Sequence, residues 1–292
     1  MSYSLNGTNL STYGIVPGHS SGSNIALSGC FSMPARMGQT SYEWAESNIE
    51  PWVDASEIYF GDRDIKFTGS IIGTNKVIND YLQALYDAVE SFTDLVALVT
   101  PYGTFSVQVK TIEPEYLVGG CKVIITFREP VVDLTGGTIP AVGINAYTID
   151  GIPFTGFGLY YSMGGGLRNL SDMKEQLFTK YGSEGYQMSK RKSRSFDIKG
   201  FIMGSSLADF QNKIKQLYLI FSSAGMRSIV INNEIKITCF AVDGFAVDNV
   251  LLYNTGMIAD FRINLICTDV SLMTWDSIEI KWDSELITIG SQ

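Results

Sequence analysis

His19 is the only histidine in the chain, so imidazole acid–base chemistry has a single candidate. It lies in a Gly/Ser-rich stretch without an identifiable partner and reads as a solvated loop residue; Ser20 and Ser21 beside it are expected to carry no nucleophile-elbow signature. Carboxylates are dense between Tyr42 and Asp62, where Glu43, Glu46, Glu50, Asp54, Glu57 and Asp62 occur without a Lys or Arg. Paired carboxylates cleave glycosidic bonds only at a fixed separation, and acids strewn along a loop do not hold one. Gly164-Gly-Gly-Leu-Arg168 could cradle an anion, yet it has neither a P-loop lysine nor dinucleotide-fingerprint spacing. Cys30, Cys121, Cys239 and Cys267 are far apart with no Cys-x-x-Cys pair, which argues against a zinc site or a disulfide framework. Cys239 and Cys267 sit in apolar alternating segments and read as small buried hydrophobes. The expectation is no enzyme, no metal and no cofactor.

The same side chains suit contact between surfaces. Trp44 and Trp52 accompany Glu46, Glu50, Asp54 and Glu57, either as core residues beneath a solvated acidic face or as anchors of a contact arm. Lys190, Arg191, Lys192 and Arg194 form a short basic run, read as a solvated loop, a nucleic-acid contact or a complement to the acidic arm across a subunit boundary. Trp275 and Trp282 flank an alternating stretch in the carboxy-terminal tail, suited to docking or to closing a sheet edge. These twelve residues are the candidate interface.

The elements that position them come in two similar sets. Asp64-Ile-Lys-Phe-Thr-Gly-Ser-Ile-Ile-Gly73 is followed by a helix and alternating segments, and Ser195-Phe-Asp-Ile-Lys-Gly-Phe-Ile-Met-Gly204 is followed by the same. Gly69 and Gly73 match Gly200 and Gly204, while Leu82, Leu85 and Tyr86 match Ile214, Leu217 and Tyr218. Each set opens alike: Tyr3-Ser-Leu-Asn-Gly7 with Tyr13-Gly14, and Tyr147-Thr-Ile-Asp-Gly151 with Phe157-Gly158. Matches in one order through 292 residues predict tandem homologous domains. Their expected bounds are 1–134 and 147–271, with a Gly/Pro linker at 135–146 and a tail at 272–292.

Asn6-Gly7 and Asn232-Asn233 predict hairpin turns. Ile78, Leu82, Leu85 and Val89 give one apolar stripe on the first helix, and Leu207, Phe210, Ile214, Leu217 and Phe221 give a sharper one on the second. Residues 17–61 read as a long excursion without a continuous buried face, and 160–194 as a shorter one with a helical turn near Ser171 to Tyr181. The fold class is mainly β (α+β), each domain an antiparallel sandwich or split barrel with one flanking helix and a long loop. A net charge of -9 argues against an electrostatic grip on nucleic acid. No signal peptide and no membrane segment is visible, so synthesis in the cytosol is expected.

The opening Tyr3-Ser-Leu-Asn-Gly-Thr-Asn-Leu-Ser-Thr-Tyr-Gly14, the long excursion, and Arg63-Asp-Ile-Lys-Phe-Thr-Gly69 before an amphipathic helix resemble the amino-terminal domain of phage distal tail proteins, relatives of tail-tube and baseplate-hub proteins. The stretch from Tyr147 to Gly200 is similar to the same domain. The resemblance implies a structural virion protein of the phage tail, made in the host cytoplasm, whose ring-forming domains surround a channel that DNA crosses without specific binding. It further implies a hexamer, or a trimer acting as a pseudo-hexamer, with tail-tube, hub and tail-fibre proteins as partners. This chain departs from the family where an accessory carbohydrate module would follow the ring domain. The competing expectations are a non-ring β-sandwich that binds carbohydrate and, more weakly, a cell-wall hydrolase.

Overall fold

Asn6 and Gly7 take φ of 49° and 80°, and Asp150 and Gly151 take 50° and 77°. Left-handed backbone at both central positions is what a two-residue hairpin turn of the right twist requires. Each pair therefore opens its half of the chain with a miniature hairpin. In a computed structural model, residues 2–38, 42–43, 49–50, 58–165, 173–180, 183–191, 194–254, 256–272, 281–282 and 285–286 are described.

The first half contains β1 (Ser4–Leu5), β2 (Thr8–Asn9), β3 (Ile15–Pro17), β4 (Leu27–Ser28), β5 (Arg36–Met37), β6 (Tyr42–Glu43), β7 (Ile49–Glu50), β8 (Tyr59–Phe60) and β9 (Arg63–Ile72). Helix α1 (Asn75–Glu90) follows, then β10 (Val96–Thr100), β11 (Gly103–Leu117) and β12 (Gly120–Glu129). The second half contains β13 (Thr148–Ile149), β14 (Ile152–Pro153), β15 (Leu159–Gly165), β16 (Met173–Lys180), β17 (Ser183–Arg191), β18 (Arg194–Gly204) and helix α2 (Leu207–Ser222). It continues through β19 (Arg227–Ile231), β20 (Ile235–Tyr253) and β21 (Gly256–Leu272) to the short β22 (Lys281–Trp282) and β23 (Glu285–Leu286).

Strand pairing repeats between the halves. The first sheet runs β2-β1-β10-β11-β12-β9-β3, with β4 also on β9, and the second runs β14-β13-β19-β20-β21-β18-β15. Position for position these are the same elements in the same order, all antiparallel. The matched glycines have a common cause: β3 crosses β9 at Gly69, and β15 crosses β18 at Gly200. A Cβ at Gly69 would lie 2.6 Å from Ile15, and one at Gly200 would press on the Tyr160 carbonyl. Only glycine permits such close backbone approach.

Both helices have 16 residues, but they are capped and covered differently. Thr74 at the N-cap of α1 makes no side-chain bond. In α2, the Ser206 hydroxyl accepts from the Asp209 N–H at 3.1 Å, and the Asp209 carboxylate accepts from the N–H of Ser205, just before the cap, at 2.8 Å. Asp209→Ala is expected to cost about 1 kcal/mol, with Asn212→Ala on the exposed face as the neutral control; denaturant unfolding of the two variants checks this. Core residues of α1 are Ile78, Leu82 and Leu85, one stripe on its own sheet. Those of α2 are Phe210, Ile214, Gln216, Leu217, Tyr218, Ile220 and Phe221, too wide an arc for one sheet to cover.

Three sequence expectations are corrected. The helical turn near Ser171 to Tyr181 is instead β16, paired with β17 from Met173↔Arg191 to Lys180↔Ser183; cross-strand pairing outweighs the helix propensity of its Met, Lys, Glu, Gln and Leu. Lys190 and Arg191 accordingly stand in a strand rather than a loop. The excursion after β3 does have buried residues, among them Ile25, Ala26, Leu27, Cys30, Phe31, Met33 and Arg36.

Candidate assembly surface

Those buried residues make the surface through which the first half packs on the second. Phe31 is a large apolar side chain in a glycine-flanked segment with no sheet of its own, so it must find cover elsewhere. It meets Phe210 of α2 edge-on, with ring centroids 5.2 Å apart, and Tyr102 of the β10–β11 turn at 6.4 Å. Gln211 Nε2 donates to the Tyr102 carbonyl at 2.7 Å. Arg36 reaches the far end of α2, where its Nη2 donates to the carbonyls of Phe221 (2.9 Å) and Ser223 (3.0 Å). A cation satisfying the unpaired carbonyls at a helix C-terminus is favoured by both hydrogen bonding and the helix dipole.

At the centre is Arg63, the first residue of β9. Its Nε pairs with Glu129 Oε2 at 2.7 Å, and the two side chains are 9% and 8% exposed. Its Nη1 donates to the Ser32 carbonyl (2.9 Å) and to the Tyr218 hydroxyl (2.8 Å). The Tyr218 hydroxyl lies 3.1 Å from the Phe31 carbonyl and 3.2 Å from that of Ser32, to one of which it donates. The Tyr218 ring stacks on Phe245 of β20 at 5.5 Å. Burial opposes the Arg63 charge, but Tyr218 and Glu129 outweigh it and hold the guanidinium protonated. Burial pushes the Glu129 carboxyl above the ordinary range, against the pull of Arg63. Tyr218 is pushed up to about 12, chiefly by burial, and remains a neutral donor.

The excursion also closes an edge of the second sheet. The Met33 N–H donates to the Phe245 carbonyl at 2.8 Å. Ser32 Oγ accepts from the Val247 N–H at 3.0 Å, and Ser23 Oγ from the Val250 N–H at 2.9 Å. Asn24 brackets Leu252, accepting from its N–H at 2.7 Å and donating to its carbonyl at 2.8 Å. An unpaired strand edge is thereby satisfied by loop chemistry rather than by another strand.

None of the twelve sequence candidates is among the residues named in these contacts. Trp44, Glu46, Trp52, Asp54, Glu57, Lys192 and Trp275 lie outside the described residues. Glu50 stands in β7, paired with β6; Lys190 and Arg191 stand in β17; Trp282 stands in β22, paired with β23. Arg194 opens β18 opposite Cys267. Among the described residues, the contact between the halves assembles Arg36, Arg63, Phe31, Glu129, Gln211 and Tyr218. Arg63 had a visible signal, since it heads a strand motif whose match is headed by Arg194, but nothing local names its partners.

The expectation of no nucleophile-elbow signature is corrected in one respect, since Gly18-His-Ser-Ser-Gly22 does spell Gly-x-Ser-x-Gly, but here it is an irregular loop followed by β4 rather than by a helix. Ser20 is buried and its hydroxyl lies 3.4 Å from the Leu27 carbonyl, while His19 is exposed. The described geometry therefore lacks the strained strand-to-helix turn of a nucleophile elbow. All four cysteines are buried and free. Among the described residues, no group of three or more His, Cys, Asp or Glu side chains is placed to hold a metal ion, and no helix is long and apolar enough to cross a membrane.

No protein-family model matches the chain, and no curated protein does. Among solved structures the chain is similar to the Dit protein (gp 19.1) of phage SPP1, described as a paradigm of the hub adsorption apparatus in Gram-positive infecting phages. The similarity covers 93% of this chain and 99% of that one at 13% identity, with a TM-score of 0.35.

Proposed function

We propose that this chain is a structural protein at the end of a phage tail, built of two duplicated ring domains that assemble head to tail around the DNA path and join the tail tube to hub or fibre proteins. The duplicated units are 1–134 and 147–271. One observation carries the reading: two sheets of identical strand order meet through unlike surfaces, the excursion and β9 side of the first against α2 of the second. An interface between unlike faces of like units leaves one copy of each face over, and its repetition closes into a ring when the rotation allows. The tail setting comes from the motif resemblance at Tyr3–Gly14 and Arg63–Gly69. A net charge of -9 suits a wall past which DNA slides without sticking.

Mass photometry and negative-stain imaging of the purified chain test this. The expected result is a hollow ring of three or six chains. A monomer at micromolar concentration would refute the assembly, and a monomer that binds polysaccharide would instead be a glycan-binding module. Reversing Lys190, Arg191 and Lys192 to Glu is expected to impair ring formation at low ionic strength and less so in salt, because exposed charge is screened within about 10 Å at 0.1 M.

A further inference from the structure

Matched elements of the two halves meet different surroundings. On α2, the face bearing Gln211 and Tyr218 is covered by the first half. The same positions of α1 carry Asn79 and Tyr86; Asn79 and Gln83 are exposed and Tyr86 is half-buried. Among the described residues, the hydrogen bond reaching this face from elsewhere is that of the Tyr116 hydroxyl to Asn79, at 2.7 Å.

The strands show the same contrast. Beyond Cys239, where β19 ends, the outer edge of β20 is closed by residues 23–33. Beyond Val107, where β10 ends, the outer edge of β11 has no strand partner among the described residues. Counting from Gly69 and Gly200, Ile112 and Pro114 of β11 occupy the places of Phe245 and Val247, and Tyr116 falls at the bulge between Asp248 and Leu251 that holds Val250. Phe245, Val247 and Val250 are buried, whereas Ile112 and Pro114 are half-buried and Tyr116 is 53% exposed. Pro114 stands where Val247 uses its N–H on the outer edge, so a proline there loses no bond to β12.

The elements that would supply the missing cover exist in the second half. Arg63 opens β9 and donates to Tyr218; Arg194 opens β18 at the matching position. The covering segment leaves β4 at Ser28, opposite Lys66, and the second half leaves β15 at Gly165, opposite the matching Asp197, before entering the β16–β17 hairpin.

Resting on the ring reading, we propose that the outer face of α1 and the open edge of β11 seat the second half of another copy of this chain, with Arg194 of that copy at Tyr86 and its β16–β17 hairpin along β11. The contact inside the chain is thus repeated between chains. Charge agrees: Asp87, Glu90 and Asp94 are exposed around the end of α1, beside an open groove of about 330 Å³ lined by Phe92, Asp94 and Gln108. The β16 and β17 strands carry Lys174, Lys180, Lys190 and Arg191 against Glu175 and Glu184. Complementary charge of this kind sets partner and register.

The test places the photo-cross-linker p-benzoylphenylalanine at Gln83 in an equal mixture of isotopically light and heavy full-length chains. The expected products join light to heavy chains and land within residues 183–204. Cross-links confined to one chain, or landing in the first half of the neighbour, overturn the placement. Arg194→Met and Tyr86→Phe are each expected to weaken self-association about tenfold, and together no more than either alone; additive losses overturn the pairing. Tyr86→Phe removes only a hydroxyl and keeps the fold. Rings that form with cross-links elsewhere refute this placement alone, whereas a chain that stays monomeric refutes the ring reading and this placement with it.

Discussion

Arg63→Met is expected to cost about 3–5 kcal/mol of folding stability at pH 7, the range for removing one partner of a buried ion pair. The loss has two parts. Glu129 is left buried without its counter-charge, and the Ser32 carbonyl and Tyr218 hydroxyl lose the donor that ties β9 to α2. The pH dependence separates them. Burial raises the Glu129 carboxyl even with Arg63 present, so without Arg63 its folded-state pKa lies higher still. A carboxyl whose folded pKa exceeds its unfolded value of 4.5 destabilises the fold fully above the folded pKa and not at all below 4.5. The deficit of Arg63→Met should therefore shrink as pH falls from 7 toward 4.5. Across that window the carboxyls of Asp62, held down by the Arg128 hydrogen bond, and Asp133, held down by the Thr135 hydroxyl, stay ionised, since their stabilisation is lost only below 3.8. Arg63→Met/Glu129→Leu should recover most of the loss at pH 7, because replacing both charges with apolar volume removes the uncompensated carboxylate. Denaturant unfolding of the three proteins at pH 7 and 5 decides it; a pH-independent deficit would mean that Glu129 is not the charge Arg63 neutralises.

Much of the fold could be read where its cause is local. Asn6-Gly7, Asp150-Gly151 and Asn232-Asn233 all take the left-handed backbone their residue types favour, and the matched turns at Gly14 and Gly158 have φ of 67° and 68°. The stripe of α1 is buried where its spacing places it. What escaped is non-local. Phe31, Met33 and Arg36 look like loop residues because their partners Phe210, Phe245 and Phe221 lie far along the chain, beyond any periodicity window. The strand expected over Ile235 to Phe240 runs on to Tyr253, since bulges between Thr238 and Cys239, between Ala241 and Phe245, and between Asp248 and Leu251 break its alternation. The candidate site followed tryptophans and charge runs, the usual marks of an exposed interface. The described contact is made by a buried arginine, a tyrosine and a serine-rich turn, whose chemistry shows only once both halves are in place.

Gly244→Ala is expected to destabilise the joint between the halves by about 3 kcal/mol, without touching any hydrogen-bonding side chain. Gly244 sits in the widest bulge of β20 at a φ of 67°, where a side chain costs about 1–2 kcal/mol in backbone strain alone. Its missing Cβ is also what lets the excursion lie against β20: an alanine methyl would press on the carbonyl oxygens of Met33 and Pro34, which are backbone and cannot rotate aside. Forcing that segment outward adds overpacking of about 1–3 kcal/mol and stretches the Met33–Phe245 and Ser32–Val247 bonds. Hydrogen exchange resolves where the loss falls. The Val247 and Val250 amides, whose acceptors are Ser32 and Ser23, should exchange faster, while the Ile263 and Phe261 amides in the β18–β21 ladder keep their protection. Uniform loss of protection would mean that the halves unfold as one unit and that the excursion is part of a common core; selective loss would mark it as a clasp, able to open on one sheet and engage the matching edge of another.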